Sequence, residues 1–255
     1  MHGEMYQMCC MVAAAKRALA EHTDIQDIPL PYVQNMMFQF LPENDLTIKK
    51  EYQANCIADW FAYCKNKNLQ DIQFLCPVSV KDRTYLGFSN TSQSRIVCYY
   101  PNDVVTFFTA FWEFDEVQKA WNIFYTEQIW ENPPKQKLHF ENNSKELQSV
   151  LKQIKDFATQ IECHFFASVF EKAYDILSNP QYAPINQIHP PAIPTAYLPM
   201  YGAAAMADVF GAMGSWNDEP PYMAHQKGLD DVYETLSNAL LQNIRLALLY
   251  VINAW

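Results

Sequence analysis

The feature that most constrains this chain is its C-terminal helix signal, which spans about residues 228–253. Leu229, Val232, Tyr233, Leu236, Leu240, Ile244, Ala247, Leu248 and Val251 recur at the three- and four-residue spacing of one helix face. Asp230, Asp231 and Glu234 fill the first turns, where negative charge complements the helix dipole. From Leu246 to Ile252 the pattern is apolar nearly all round. A helix of that kind has to be enclosed on several sides. The rest of the chain must supply the walls.

A second long helix is predicted over residues 144–178. Its stripe of Leu147, Leu151, Ile154, Phe157, Ile161, Phe165 and Val169 broadens into an almost wholly apolar second half. Glu4 to Ala20 reads as an amphipathic helix, and a further helix is expected from about Ile48 to Lys65, carrying Tyr52, Cys56, Trp60 and Cys64 four residues apart. Pro31 is placed to open a short segment, Tyr32–Phe40, that Pro42 closes. Residues 71–100 change character. DIQFLCPVSV, RTYLGF and SRIVCYY are short, β-branched and aromatic, and read as three strands of an antiparallel meander. Residues 104–114 fit a fourth strand or a buried helix, and 101–131 stays open between the two. The six prolines of residues 180–199 are interspersed with isoleucines and tyrosines, which favours a packed loop over a free linker. The fold class expected is α+β and mainly helical, with helices packed on a small antiparallel meander over about residues 71–114. The whole chain, 1–255, is read as a single domain.

Half of the residues are hydrophobic and 18% are charged, an ordinary globular balance. The net charge of −10 is concentrated: residues 101–131 hold six acids against Lys119, and 173–255 hold seven against Lys227 and Arg245. That sign argues against a nucleic-acid partner and, if a macromolecule is bound, points to a basic protein. The seven cysteines are odd in number and lack a CxxC pair, so they read as buried thiols of a reducing compartment. The N-terminal stretch lacks the basic leader of a signal peptide, and no uninterrupted apolar run approaches the ~20 residues of a membrane span. A cytoplasmic location is expected, with no membrane partner and no cofactor.

Three sets of residues are candidates for chemistry. Ser215 to His225 (SWNDEPPYMAH) places Asp218 and Glu219 before His225, and a carboxylate that orients a histidine is the core of much general-base catalysis. Turn formation explains the same residues, since Asn and Asp side chains bond the local backbone. Trp216, with Asn217, Asp218 and Glu219 beside it, is a candidate binding tip. Its indole either projects as a hot spot or, the reading favoured here, folds back as an anchor whose N–H finds a buried partner. Cys163 and His164 form an isolated pair without the two further ligands that a zinc site needs. The three glycines of 202–214 read as helix-end punctuation.

These readings lead to a non-enzymatic, acidic interaction protein, in its most concrete form a bacterial immunity or inhibitor-type protein for a basic partner. The alternative is a hydrolase or transferase built on Asp218, Glu219 and His225. The sequence leaves the oligomeric state open.

Overall fold

The computed structural model describes residues 3–26, 32–42, 52–179 and 190–255. Among them are seven α-helices and one six-stranded mixed sheet, an α+β fold that is 48% helical. They fall into two compact units. One comprises Met1–Tyr6, Cys76–Ser92 and His139–Trp255, and the other Gln7–Leu75 and Gln93–Leu138.

The second unit holds the sheet. Its strands are β1 (Val33–Gln39), β2 (Gln53–Ala54), β3 (Asp71–Leu75), β4 (Arg95–Tyr99), β5 (Val105–Asp115) and β6 (Ala120–Ile129). They lie in the order β2-β1-β6-β5-β4-β3, antiparallel throughout except for β1 beside β6. Residues 104–114 are therefore strand, and β5 with β6 forms the long hairpin of the sheet. The period-two alternation places Phe108 and Trp112 of β5, and Ile123 and Tyr125 of β6, on the buried face. The helices α1 (Gly3–Glu21), from Gln7 onward, and α2 (Ile57–Asn66) pack on that face. Tyr125 Oη donates to Gln7 Oε1 at 2.6 Å, and the Trp60 ring stacks on Phe38 at 5.5 Å.

Three sequence expectations are corrected here. The middle strand of the meander is a 3₁₀ turn, Arg83–Gly87, that belongs to the first unit. Its cause is local: Asp82 Oδ1 accepts from Thr84 N at 2.9 Å and from Thr84 Oγ1 at 2.6 Å, which closes the backbone into a turn. The Tyr52-to-Cys64 stripe does not lie on one helix. Gln53–Ala54 pairs as strand, and Cys56 caps α2 in an extended conformation, its Sγ accepting from Asp59 N at 3.4 Å; residues 48–51 of that expected helix lie outside the described residues. Of the seven cysteines, Cys56 and Cys76 are only half-buried.

In the first unit the expected helix of 144–178 is two, α3 (Ser144–Gln160) and α4 (His164–Ser178). Glu162 takes a left-handed φ of 65° between them, and Cys163 N reaches back to Ala158 O at 2.9 Å. That is a helix-terminating motif with glutamate where glycine is usual. An apolar stripe cannot reveal it, because both helices remain apolar across the corner. Next come α5 (Leu198–Ala207) and α6 (Glu219–Gln226), then α7 (Asp230–Asn253), the helix that the C-terminal signal announces. α7 has eleven buried residues and packs against α3 and α5. By length and composition alone it is apolar enough to cross a bilayer, a property it shares with enclosed core helices. The run of uninterrupted apolar residues is shorter than the helix because Gln242, Asn243 and Arg245 interrupt it. Of the proline-rich segment, 180–189 lies outside the described residues, and 190–199 forms a turn, a 3₁₀ turn (Thr195–Tyr197) and the start of α5.

Candidate functional site

The loop from Asp208 to Asp218 joins α5 to α6, and Trp216 holds it. The indole is 0% exposed, enclosed by Phe166 and Phe170 of α4 at 5.2 and 5.1 Å and by Phe157 of α3 at 6.5 Å. Tyr233 of α7 stacks on it at 5.7 Å. Its Nε1–H donates to Ser237 Oγ at 2.8 Å, and its carbonyl accepts from Tyr233 Oη at 2.7 Å. Every polar atom of this tryptophan is satisfied inside the protein, by Val209 O for its backbone N–H at 3.0 Å. Trp216 is an anchor and not a projecting contact.

The neighbouring polar side chains point inward to the loop itself. Ser215 Oγ donates to Gly211 O at 2.8 Å, and Asn217 Nδ2 donates to Arg83 O at 2.9 Å. Asp218 Oδ2 accepts from Gly214 N at 2.7 Å, closing a turn in which Gly214 has a φ of 77°. The Arg83–Gly87 turn lies directly against the loop: a Cβ placed on Gly87 would come within 2.2 Å of Ala212 N. Arg83 then ties the turn to α7. Its Nη2 donates to Glu234 Oε2 at 3.0 Å and its Nη1 to Asn238 Oδ1, with the guanidinium over the Tyr233 ring. Sequence reasoning missed this arginine. Its signal is faint, one cation in a segment that reads as strand.

What the locked loop leaves outside is apolar. Met213 is 93% exposed, Tyr85 62% and Phe88 57%. Asp82, Asp218 and Glu219 are exposed beside them along the chain. The hydroxyl of Thr84 and the Thr84 backbone N–H hold the Asp82 carboxyl below its ordinary value. Asp82 is therefore ionised at neutral pH.

The structure does not join His225 to Asp218 or Glu219. His225 sits at the end of α6, and its Nδ1 pairs with Asp230 Oδ1 at 2.9 Å. Both side chains are open to solvent, His225 at 75%. α6 itself explains the separation, because seven residues of helix set His225 about 10 Å along the axis from Asp218. Glu219 instead lies near Cys163, whose thiol is pushed up to about 11 by burial and, second, by that carboxylate. Cys163 Sγ faces Ile161 O at 3.8 Å, whereas His164 is exposed and lines an open cleft of 470 Å³ with Lys155, Asp156 and Glu171. The two members of the expected metal pair thus diverge. Among the described residues no three histidine, cysteine or acidic side chains converge on one point.

Comparison with protein families, with curated proteins and with solved structures found no match for this chain.

Proposed function

We propose that this chain is a non-enzymatic protein-interaction module, of the immunity or inhibitor type, and that its partner is a basic protein. One observation carries the reading: Met213, Tyr85 and Phe88 are exposed on two segments whose backbones are locked together at Gly87 and Ala212. Apolar groups exposed side by side mark interaction surfaces, whereas singly exposed ones do not. The ordering entropy of this loop is already lost in folding, because Trp216, Asn217 and Asp218 hold it. Binding through such a tip therefore avoids a cost that a mobile loop would bear. Aromatic rings and methionine suit the contact itself, the rings by area and the thioether by adaptability.

Asp82, Asp218 and Glu219 supply the electrostatic half, and the seven-to-two acidic excess of residues 173–255 extends it. Such a field speeds encounter with a basic partner and rejects nucleic acid. A cytoplasmic setting belongs to this reading. The test is affinity capture on immobilised wild type, Met213→Asp and Asp218→Lys, with the retained proteins identified by mass spectrometry. A basic protein should be retained by the wild type, lost with Met213→Asp, and held with weaker salt dependence by Asp218→Lys. Met213→Asp should melt with the wild type, whereas Asp218→Lys should melt slightly lower because it loses the hydrogen bond from Gly214 N. Equal retention by the three would remove the tip from the proposal.

A further inference from the structure

β6 breaks its own pattern at Glu127. Ile123 and Tyr125 point to the buried face of the sheet, and the same alternation carries Glu127 there, 5% exposed where an apolar side chain belongs. Its carboxylate is held by two donors: Oε1 accepts from Thr106 Oγ1 at 2.8 Å and Oε2 from Leu41 N at 3.0 Å. Both donors are neutral. Among the described residues no lysine, arginine or histidine forms an ion pair with it. A carboxylate offers about four acceptor positions, so these bonds leave it only half satisfied. A buried anion without a counter-charge is costly for a fold to keep.

Glu127 does not end in solid core. With both of its donors it lines an open cleft of 490 Å³, a volume within the range of small-molecule sites. The cleft lies where α2 ends. Leu69 N returns to Cys64 O at 3.1 Å and Asn68 takes a left-handed φ of 61°, a helix-ending turn that puts Lys67 and Asn68 on the cleft wall. Val104 and Ile129, 48% and 62% exposed, join Leu41 and Pro42 as apolar lining. Lys67 Nζ stands 4.4 Å from the centre of the Tyr63 ring. All of these residues belong to the sheet-bearing unit.

We infer that this cleft binds a small organic cation, a monoamine with a compact apolar body, whose ammonium group donates to the Glu127 carboxylate. The ligand supplies the counter-charge that the chain does not, through a charge-assisted hydrogen bond, and its body covers the exposed Val104 and Ile129 side chains. Lys67 limits the number of charges. A second ammonium on the ligand would meet the lysine in the same cleft, so a monoamine is favoured over a diamine. None of these residues belongs to the Met213 tip, and the site stands or falls independently of it.

The experiment is isothermal titration calorimetry of the full chain at neutral pH and fixed ionic strength, with benzylamine, benzyl alcohol, benzoate and p-xylylenediamine as probes. The ring is common to all, and only the charge differs. Benzylamine should bind saturably at a single site, and benzyl alcohol about tenfold more weakly or less, for want of the charge-assisted bond. The diamine should be weaker than benzylamine, and benzoate should not bind. Glu127→Gln keeps the size and removes the charge. It should bring benzylamine down to the level of the alcohol. Val104→Lys changes an exposed wall residue and leaves Glu127 with its bonds. It should melt with the wild type and lose benzylamine affinity, because a tethered ammonium now competes for the carboxylate. The inference is overturned if benzylamine shows no saturable binding, or if benzyl alcohol or the diamine binds as tightly. It is equally overturned if either variant, once folded, binds benzylamine as the wild type does. Should Glu127→Gln fail to fold, Val104→Lys decides by itself.

Discussion

Trp216 shows how much of a residue's role lies outside its local sequence. Between Gly214-Ser215 and Asn217-Asp218 it reads as a residue on a polar loop. In the structure four aromatic rings and a serine hydroxyl enclose it. Trp216→Ala should cost about 3–5 kcal/mol, because it removes the largest side chain at the junction of α3, α4 and α7 and leaves a cavity. Trp216→Phe should cost less, about 1–3 kcal/mol, from the shape change and the unpaired Ser237 hydroxyl. Urea unfolding measures both, and a Trp216→Ala protein of wild-type stability would refute the anchor. Gly87 makes the same point in backbone form. A methyl group there meets the Ala212 backbone at 2.2 Å, so Gly87→Ala should destabilise by about 1–3 kcal/mol, while Met213→Ser, at a side chain 93% exposed, should stay within about 0.5 kcal/mol.

At the scale of elements, the corner between α3 and α4 divides what periodicity reveals from what it hides. The apolar stripe from Leu147 to Leu177 is real, and it predicts helix on both sides of Glu162. The left-handed backbone of Glu162, the Cys163 N to Ala158 O hydrogen bond and the reach of Lys227 Nζ to the Glu162 carboxylate, 2.7 Å, mark the break. That exposed ion pair contributes little, so backbone conformation decides how substitutions behave. Glu162→Gly should fold with nearly unchanged stability. Glu162→Val should be about 1–2 kcal/mol less stable than Glu162→Gly, because a β-branched residue resists the left-handed region. Equal denaturation midpoints for the two variants would mean that the corner is not held in this conformation. The Arg83–Gly87 turn is the complementary case. Its residues have strand composition, and one short-range contact, Asp82 to Thr84, turns them away from the sheet.

Across the whole molecule, burial sets a response to alkali. The Cys76 thiol is pushed up to about 11, chiefly by burial and against the pull of Arg245, and Cys163 likewise to about 11. Burial also drives the Tyr99 phenol to about 12 and raises Cys98 and Tyr100. The folded pKa of each lies above its unfolded value, so the folded state holds protons that the unfolded state releases. The stability linked to these groups is complete below about pH 9, the unfolded thiol value, and is lost as pH rises through 11. Unfolding midpoints in urea should therefore fall steadily from pH 9 to 11 and stay level from 7 to 8.5. A flat profile to pH 11 would contradict the burial of these thiols. Both compact units should share in the loss, since Cys76 and Cys163 belong to one and Cys98, Tyr99 and Tyr100 to the other.

Sequence alone determined the parts of this protein that repeat a local rule. Spacing at 3.6 residues located α1, α3, α4 and α7. The β-branched and aromatic runs located β3 and β4, and with them the α+β class. The anchoring preference for Trp216 was legible too, because an indole N–H among polar neighbours needs a buried partner. Tertiary structure decided whatever depends on residues far apart in the chain. It placed β1 parallel to β6, 87 residues apart at the Asn35–Asn122 hydrogen bond. It gave His225 the carboxylate of Asp230 instead of Asp218, and it brought the Arg83–Gly87 turn against Ala212. It also left Arg245 Nε and Nη1 buried without an acceptor. The reason is physical: a period or a cap is set by neighbours a turn away, whereas burial, pairing and the absence of a partner are set by what the rest of the chain brings to that point.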